Sequence, residues 1–504
     1  MGEATKPRRK KEKAAIRSRL GVIDIGSNSV RLVVYDVYGA ALLPCFNQKT
    51  MAALGKGLNE TGKLSAEGWD MALDALQRYA TIIEGLGVNR VRAVATAAVR
   101  EAEDGKAFVK AVKKLTGLEV DVLSGEDEGK ASAAGIKAGF PNPVGLMGDL
   151  GGSSVEFAML GDKSAPGPES YSLGPLAFSD TYDRKVRIAA INKALARSQL
   201  LNNSMKGKTF FLIGGAWRAL AKLHMDVFGY DLHFLHGYTF SATDASRLVE
   251  ATHAKDPASV ARVTKAGGRR AASLPYAAVL LDQVVRLTGV REITVSAFGV
   301  REGLVRLETG KTKRNMLLDG IELAFRTTSG QREFGKALYD FILPVVPPFE
   351  DLFDGGVTDH DMIEAACYLA DIGARFHPNS RAKLAYDSVI EGPWAGITHR
   401  QRAFLALAAG SRYARRIGAA EAHSRLLSGA REDRARQVGA LMRVGATFSG
   451  RSADVLEKAK MRVDREHLEL VVQPDAGFMV SQTVERRFGY AAALLGVKPV
   501  IKKG

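Results

Sequence analysis

Two short segments of this chain carry the same polar residues at the same spacing after an apolar run. Residues 21–29 read GVIDIGSNS and residues 145–154 read GLMGDLGGSS. In each segment an Asp is followed by one spacer residue, a Gly and small hydroxyl or amide residues. A tight turn of this composition presents backbone N–H groups and short side-chain donors to an anion such as phosphate. The repeat predicts two β-hairpins whose turns bind one phosphate chain from both sides.

Hydrolysis of a phosphoric anhydride needs donors around the phosphate oxygens, a divalent cation, and a carboxylate that orients or deprotonates water. The two turns supply candidate donors: Ser27, Asn28, Ser29, Gly151, Gly152, Ser153 and Ser154. Asp24 and Asp149, one before each turn, are candidate ligands for Mg²⁺. Either Asp could instead cap its own turn. Mn²⁺ is the alternative divalent ion, and a monovalent cation is left open.

Further charged residues follow predicted strands. Residues 124–129 (SGEDEG) open a helix, where acidic residues are ordinarily stabilised by capping and by the helix dipole, although one of them could reach a cleft. Glu156 alternates with apolar neighbours and so faces either the cleft or solvent. Arg100, after another strand, could fork onto a phosphate or form a surface salt bridge. Residues 214–218 and 297–303 are a third and a fourth candidate glycine loop.

Apolar periodicity predicts the elements that position these residues. In the first half, strands are expected at 20–25, 30–37, 41–48, 91–95 and 119–123, with helices at 65–86 and 105–115. In the second half, the hairpin 145–160 is followed by strands at 169–173, 209–213 and 292–296, with helices near 187–198 and 242–251. The repeated plan indicates an α/β fold of two similar halves, with the ligand in the crevice between them.

The motifs together resemble one known family. Their order and spacing are similar to those of the exopolyphosphatase/guanosine pentaphosphate phosphohydrolase (Ppx/GppA) family, in the actin, sugar kinase and Hsp70 superfamily. The motifs are residues 24–29, 96–100, 124–129, 149–156 and 299–303, and the resemblance covers about residues 20–308. It implies two duplicated ribonuclease H-like domains.

The resemblance also implies roles for individual residues. It makes Glu128 the catalytic base, and it puts Asp149 and Glu156 at the metal and water site with Asp24 near the metal. The implied phosphate ligands are Asn28, Ser29, Arg100, Gly151, Gly152, Ser153 and Ser154. Arg31 and Arg301 are implied contacts for a nucleotide or for more distal phosphates. Because Glu128 would lie near other carboxylates, its pKa is expected to be raised unless a metal or an Arg offsets that effect.

The expected domain boundaries follow from composition and from the resemblance. Residues 1–19 form a disordered basic arm, residues 20–145 and 146–308 two actin-like domains, and residues 309–504 a mostly helical domain with a small C-terminal appendage. This last region resembles the HD phosphohydrolase-related domain of the longer family members. Ala370 stands where a metal-dependent version has His, and alanine cannot ligate a metal. We therefore expect a degenerate HD-like domain that supplies basic walls and a dimer surface.

Composition limits the partners. The 504 residues carry a net charge of +16, which favours a polyanionic partner. No apolar stretch is long enough for a membrane span, and the N-terminus lacks the apolar core of a signal peptide. The two cysteines, Cys45 and Cys367, lie far apart in sequence, offer no disulfide framework or zinc cluster, and are expected to be buried. On charge alone, membrane lipid and nucleic acid both remain possible partners. With the motifs above, we expect a cytoplasmic protein that binds neither membranes nor nucleic acid.

The leading hypothesis is an exopolyphosphatase, a phosphoric anhydride hydrolase that removes terminal orthophosphate from inorganic polyphosphate as a homodimer. The main alternative is hydrolysis of guanosine pentaphosphate to the tetraphosphate by the same residues. A third hypothesis is a non-catalytic regulator that binds polyanions, and a sugar- or acetate-type kinase is disfavoured because no separate adenosine-site signature is present.

Overall fold

The computed structural model describes residues 18–178, 183–202, 205, 207–310, 312, 314–325, 329–346, 358–427 and 429–503. Nearly all of the expected basic arm, residues 1–17 of 1–19, lies outside the described residues. No helix within these ranges combines the length and the apolarity needed to cross a membrane.

The first part of the described chain builds a mixed sheet with helices around it. Its strands are β1 (Ser18–Ile25), β2 (Val30–Tyr38), β3 (Ala41–Thr50), β4 (Val91–Ala95) and β5 (Val120–Val122). Its helices are α1 (Leu58–Thr61), α2 (Ala66–Gly85), α3 (Ala97–Glu101), α4 (Gly105–Thr116) and α5 (Gly125–Gly139). The strand order is β3-β2-β1-β4-β5, with the first three strands antiparallel and β4 and β5 parallel to β1.

The second part repeats this arrangement. Its strands are β6 (Gly145–Leu150), β7 (Val155–Leu160), β8 (Glu169–Tyr171), β9 (Thr209–Gly214), β10 (Thr239–Ser241) and β11 (Glu292–Val295). Its helices are α6 (Arg184–Leu195), α7 (Gly215–Phe228), α8 (Asp244–His253), α9 (Pro257–Gly267), α10 (Leu274–Thr288) and α11 (Val300–Thr309). The order β8-β7-β6-β9-β11 matches that of the first sheet strand for strand, and β10 extends it. The duplicated α/β fold is therefore confirmed.

Two helices join the halves. α5 and α11 pack together, and their apolar residues Ala131 and Val305 enter one core cluster with Leu20 and Val22 of β1. α11 thus returns from the second half of the chain to the first sheet. Glu128 lies in the first turn of α5, and Arg301 lies in the first turn of α11.

The rest of the described chain is mostly helical. Its helices are α12 (Met316–Phe325), α13 (Ser329–Ile342), α14 (Asp359–Tyr368), α15 (Arg381–Ile390), α16 (His399–Ser411), α17 (Ala430–Ser449), α18 (Ala453–Leu456) and α19 (Gln482–Leu495). The strands β12 (Ala459–Val463), β13 (His467–Val472) and β14 (Lys498–Lys503) form a small sheet, so the strand-containing appendage is present.

Two arginines lie near the aspartate that follows Ala370. Asp371 lies 3.8 Å from the guanidinium nitrogens of both Arg412 and Arg451. Two positive charges therefore face this carboxylate. The degenerate HD-like character of the domain stays a prediction.

The expectation of two buried cysteines was wrong for one of them. Cys367 is buried, whereas Cys45 is exposed. In the β2–β3 ladder Val34 pairs with Phe46 and Tyr35 with Pro44, so Cys45 is the extra residue of a β-bulge. β3 is also the edge strand of its sheet, which leaves such a residue open to solvent.

Candidate active site

The two hairpin turns meet face to face. Within the first turn Gly26 N–H donates to the Ser29 carbonyl at 3.0 Å, and within the second Gly151 N–H donates to the Ser154 carbonyl at 2.9 Å. The hydroxyl of Ser153 donates to that of Ser27 at 2.9 Å, although the two residues are 126 positions apart. The turns therefore have the same local geometry and converge on one point, as the sequence pattern predicted.

Most of the predicted site residues line one cleft of about 690 Å³ between the halves. These are Asp24, Ser27, Asn28, Ser29, Arg31, Glu128, Asp149, Gly151, Gly152, Ser153, Ser154 and Arg301. The third and fourth glycine loops contribute to the same wall through Gly214, Gly215 and Gly299. Glu156 and Arg100 are not part of this lining and lie behind it.

Glu128 combines deep burial with an unpaired oxygen. Ser124 caps α5 by accepting a hydrogen bond from Asp127 N–H at 3.1 Å, which leaves Glu128 on the inner side of the first turn. Burial raises the pKa of Glu128 well above its ordinary value, and the charges of Glu156 and Asp149 raise it further. Its Oε2 atom has no hydrogen-bond partner and lies 3.6 Å from Arg100 Nη1. The expected rise in the Glu128 pKa is confirmed in direction.

Glu156 sits directly behind this position. It pairs with Asp149 across the β6–β7 ladder and is only 1% exposed. Burial raises its pKa to about 7, with a further contribution from Asp149, while hydrogen bonds from Ser154 and Ser170 oppose the rise. Ser170 donates to Glu156 Oε1 at 2.9 Å. Glu156 is thus a supporting carboxylate near Glu128 and does not face the open cleft.

The two turn aspartates already have partners. Asp149 Oδ2 accepts from Ser132 at 2.6 Å, and Asp24 Oδ2 accepts from Arg301 at 2.8 Å. Burial raises the pKa of Asp149 even though Ser132 and Arg218 lower it. In Arg301, burial lowers the pKa, but the charges of Asp24, Glu302 and Tyr35 and the hydrogen bond to Asp24 together more than offset this effect, so the pKa of Arg301 is raised overall.

The side chains of the cleft can be compared with the ligands that a divalent cation requires. The described residues contain no group of three or more His, Cys, Asp or Glu side chains arranged to hold a metal by themselves. Mg²⁺, however, is commonly held by one or two carboxylates together with waters and substrate phosphates. Asp24 and Asp149 share the cleft and fit that mode. Glu156, the third predicted metal ligand, is 1% exposed and does not line the cleft.

The cleft is also lined by cations. Arg31 pairs with Lys49 across the β2–β3 ladder, and both line the cleft with Arg270 and Arg301. Burial lowers the pKa of Lys49 to about 8, and the neighbouring charges of Arg270 and Arg31 lower it further. The cleft therefore offers both carboxylates and positive charges.

Comparison with known proteins agrees with this geometry. The model of the Ppx/GppA phosphatase family matches residues 33–311, and that of the exopolyphosphatase C-terminal region matches residues 356–501. The chain belongs to the Ppx/GppA phosphatase family.

Named relatives differ in how much of the chain they match. Exopolyphosphatase 1 of Mycobacterium tuberculosis is 34% identical over 143 residues, which are 28% of this chain and 42% of that protein. Guanosine-5'-triphosphate,3'-diphosphate pyrophosphatase of Photobacterium profundum is 27% identical over 182 residues, 36% of this chain and 37% of that protein. These matches span less than half of either relative. Retrograde regulation protein 2 of Saccharomyces cerevisiae is 25% identical over 449 residues, 80% of this chain and 74% of that protein.

Solved structures support the fold. A Ppx/GppA family member from Aquifex aeolicus has a TM-score of 0.51 at 24% identity, covering 58% of this chain and 98% of that one. An exopolyphosphatase from Cytophaga hutchinsonii has the same TM-score and identity, covering 57% and 96%. At this identity the likeness shows the actin-like architecture alone.

Several side chains at this Ppx/GppA site were not predicted from the sequence. Lys49 could have been found from the hairpin register, because it is directly opposite Arg31. Ser132, the partner of Asp149, had no signal, since it is an ordinary small residue on the second turn of α5. Arg100 was proposed as a phosphate ligand. In the structure its Nη1 donates to the Leu123 carbonyl at 2.8 Å while facing Glu128.

Proposed function

We propose that this protein hydrolyses the terminal phosphoanhydride bond of inorganic polyphosphate and releases orthophosphate. The single observation that carries the proposal is the position of the buried Glu128 Oε2, which has no hydrogen-bond partner, in the cleft formed by the two touching turns. Membership in the Ppx/GppA phosphatase family supports the reaction class. The named exopolyphosphatase relatives support the choice of substrate.

The terminal phosphate would lie between the turn residues 26–29 and 151–154. Backbone N–H groups and serine hydroxyls placed around it would stabilise the charge that develops on the equatorial oxygens. A bound Mg²⁺ would neutralise further phosphate charge when present. Asp24 and Asp149 are the side chains that would hold it.

Glu128 would position and deprotonate the attacking water. The water oxygen forms a bond to the terminal phosphorus, and the bond from phosphorus to the bridging oxygen breaks, so the electron pair leaves with the shortened chain. The water proton passes to Glu128. Arg100, 3.6 Å from Oε2, favours the ionised form that accepts this proton.

The cations of the cleft would receive the rest of the substrate. Arg31, Lys49 and Arg270 line the cleft, where a linear anion continues outward from the terminal phosphate. Their mutual repulsion, which adds to the effect of burial in lowering the pKa of Lys49, would be relieved by negative charge. Binding and leaving-group stabilisation would thus come from the same residues.

The test is phosphate release from long-chain polyphosphate with Mg²⁺, comparing the native protein with Glu128→Gln. We expect a loss of about a hundredfold or more, the scale of a lost general base. Glu126→Gln is the matched control, because Glu126 is on the same helical turn, is exposed and pairs with Lys130 instead of facing the cleft. A Glu128→Gln variant within a few-fold of native activity would contradict the mechanism. Polyphosphate binding without any release by the native protein would favour the non-catalytic regulator.

Guanosine pentaphosphate is the second candidate substrate. Phe178 is half-buried, lines the cleft and stacks on the buried Tyr276 at 4.7 Å between ring centroids, so a purine base could stack on the outer face of Phe178. The Photobacterium relative is named for a guanosine polyphosphate. Parallel assays with both substrates would rank them by kcat/KM.

We also propose that the protein is a cytoplasmic homodimer. Cell fractionation would test the compartment, and light scattering would test the oligomeric state.

A further inference from the structure

A second basic pocket lies in the helical domain and is separate from the catalytic cleft. We call it the arginine pocket; it has a volume of about 470 Å³ and is lined by Tyr413, Arg415, Arg443, Arg486, Arg487 and Tyr490. The residues come from the segment after α16 and from α17 and α19. None of them lines the cleft between the actin-like halves.

The positive charges of this pocket are not balanced by its own carboxylates. Among the described residues, no Asp or Glu lines the pocket, and its four arginines form no ion pair within 4.0 Å. Burial lowers the pKa of Arg443 to about 10, and the charges of Arg487 and Arg412 lower it further. Like charges held this close raise the free energy of the folded state unless an anion joins them.

The pocket is also built to hold its guanidinium groups in place. The Arg415 guanidinium lies 4.2 Å from the centroid of the Tyr490 ring, and that of Arg412 lies 4.7 Å from the Tyr413 ring. Cation–π contacts of this kind orient the planar fork. Arg487 donates to Thr447.

One buried cation beside the pocket lacks a full set of partners. Arg412 is 9% exposed, its Nε has no hydrogen-bond partner, and its nearest carboxylate, Asp371, is 3.8 Å away. Asp371 is the residue after Ala370, whose carbonyl accepts from the Tyr413 hydroxyl at 2.7 Å. The arginine pocket therefore adjoins Asp371, which faces Arg412 and Arg451.

We propose that the arginine pocket binds a short chain of phosphates, either free oligophosphate or the phosphate tail of a nucleotide. Several guanidinium groups around one pocket suit an anion with successive phosphate groups, because each guanidinium can donate two hydrogen bonds to two oxygens of one phosphate. A single orthophosphate would satisfy one fork and leave the remaining repulsion in place. This site is non-catalytic and is independent of the reaction proposed above.

The test measures tripolyphosphate binding by calorimetry in the full-length Glu128→Gln protein, so that hydrolysis does not consume the probe. In that background the exposed pair is changed to give Arg415→Gln with Arg486→Gln. The matched control is Arg462→Gln with Arg465→Gln, which removes the same charge from exposed positions on and just after β12, outside the pocket. Circular dichroism checks that each variant is folded.

We expect the pocket variant to lose one equivalent of binding, or at least tenfold in affinity for it, relative to its parent, while the control keeps it. This comparison is valid whether or not the catalytic cleft also binds the probe. Equal binding by parent, control and pocket variant would overturn the proposal, and so would equal losses in control and pocket variant. GTP and orthophosphate serve as further probes. If GTP binds with the same affinity as tripolyphosphate, the pocket recognises the phosphates alone, and if GTP binds more tightly, the pocket also contacts the nucleoside. If orthophosphate binds as tightly as tripolyphosphate, the proposal that the pocket requires a chain of phosphates is overturned.

Discussion

At the scale of single residues, two neighbouring buried glutamates of the site differ in their hydrogen bonding and in their access to the cleft. Glu128 has an oxygen without a partner in the cleft, whereas Glu156 is enclosed and hydrogen-bonded by Ser170. Both have raised pKa values because they are buried beside each other and beside Asp149. The free oxygen suits Glu128 to proton transfer, and the enclosed position suits Glu156 to tuning its neighbour.

Glu156→Gln should change how stability depends on pH. The pKa of Glu156 is raised from 4.5 to about 7, so the folded state holds this proton more tightly than the unfolded state. The resulting stabilisation of the native protein is complete below about pH 4.5 and is lost as pH rises through about 7. Glutamine carries no ionisable proton, so the free energy of unfolding of the variant should rise relative to that of the native protein over this pH range. The change in this difference should reach about 3 kcal/mol at pH 8.

Urea unfolding at pH 4.5 and pH 8 would measure this difference. Glu126→Gln, at an exposed position, should show no such trend. A stability difference between Glu156→Gln and native protein that is the same at both pH values would contradict the assignment.

At the scale of elements, the close crossing of α5 and α11 holds the two sides of the cleft together. A Cβ atom on Gly303 would lie 1.7 Å from the Ala131 carbonyl, and one on Gly135 would lie 2.1 Å from the Gly299 carbonyl. The helices therefore touch backbone to backbone. Since Glu128 and Arg301 lie at their N-termini, the crossing fixes the separation of these two side chains.

Gly303→Ala should push α11 away from α5 and lower both stability and activity. Overpacking commonly costs about 1–3 kcal/mol, and here the obstruction is backbone that cannot rotate away. Thermal unfolding and phosphate release would be measured on the same preparation. Gly489→Ala is the control, because a Cβ on this α19 glycine would meet no atom within 4 Å and should stabilise by up to about 1 kcal/mol. Native-like activity of Gly303→Ala would show that the crossing does not position the site.

The helical domain is attached to the other end of α5. The Gly139 carbonyl accepts from His236 Nε2 at 3.1 Å and from Gly396 N–H at 2.8 Å. His399, at the start of α16, donates through its ring nitrogen to the His236 carbonyl at 3.1 Å. α5 thus joins the catalytic end of the molecule to the domain that contains the arginine pocket.

At the scale of the whole molecule, charge governs the encounter with substrate. The chain has 71 basic and 55 acidic residues, a net charge of +16, and several cations line the cleft. Long-range attraction of a polyanion by such a protein is screened by salt.

The KM for long-chain polyphosphate should therefore rise by about tenfold or more when ionic strength increases from low to high salt, as counterion release weakens binding. We expect kcat to change much less, because the contacts at the terminal phosphate are enclosed. Tripolyphosphate is the comparison substrate and should show a shallower dependence, since it carries fewer charges. Equal salt dependence of KM for the two substrates would contradict a role for extended charge.

The sequence by itself determined the hairpin turns, the duplicated strand plan and the family, because each turn is specified by hydrogen bonds between residues three apart. Apolar periodicity predicted most strand bounds of the two halves to within a few residues. Several helices of the two halves, among them α7, α9, α10 and α11, and the strand β10 were not among the predicted elements. The domain boundaries and the residue roles remain predictions.

Only the tertiary structure decided which side chains act together. The Ser153–Ser27 contact and the Arg301–Asp24 ion pair join residues 126 and 277 positions apart, and no local pattern encodes such a distance. Burial likewise depends on what packs over a residue, so the enclosed position of Glu156 and the exposure of Cys45 at its bulge followed from the assembled sheets. The same packing brought together the unbalanced charges of the arginine pocket from three separate segments.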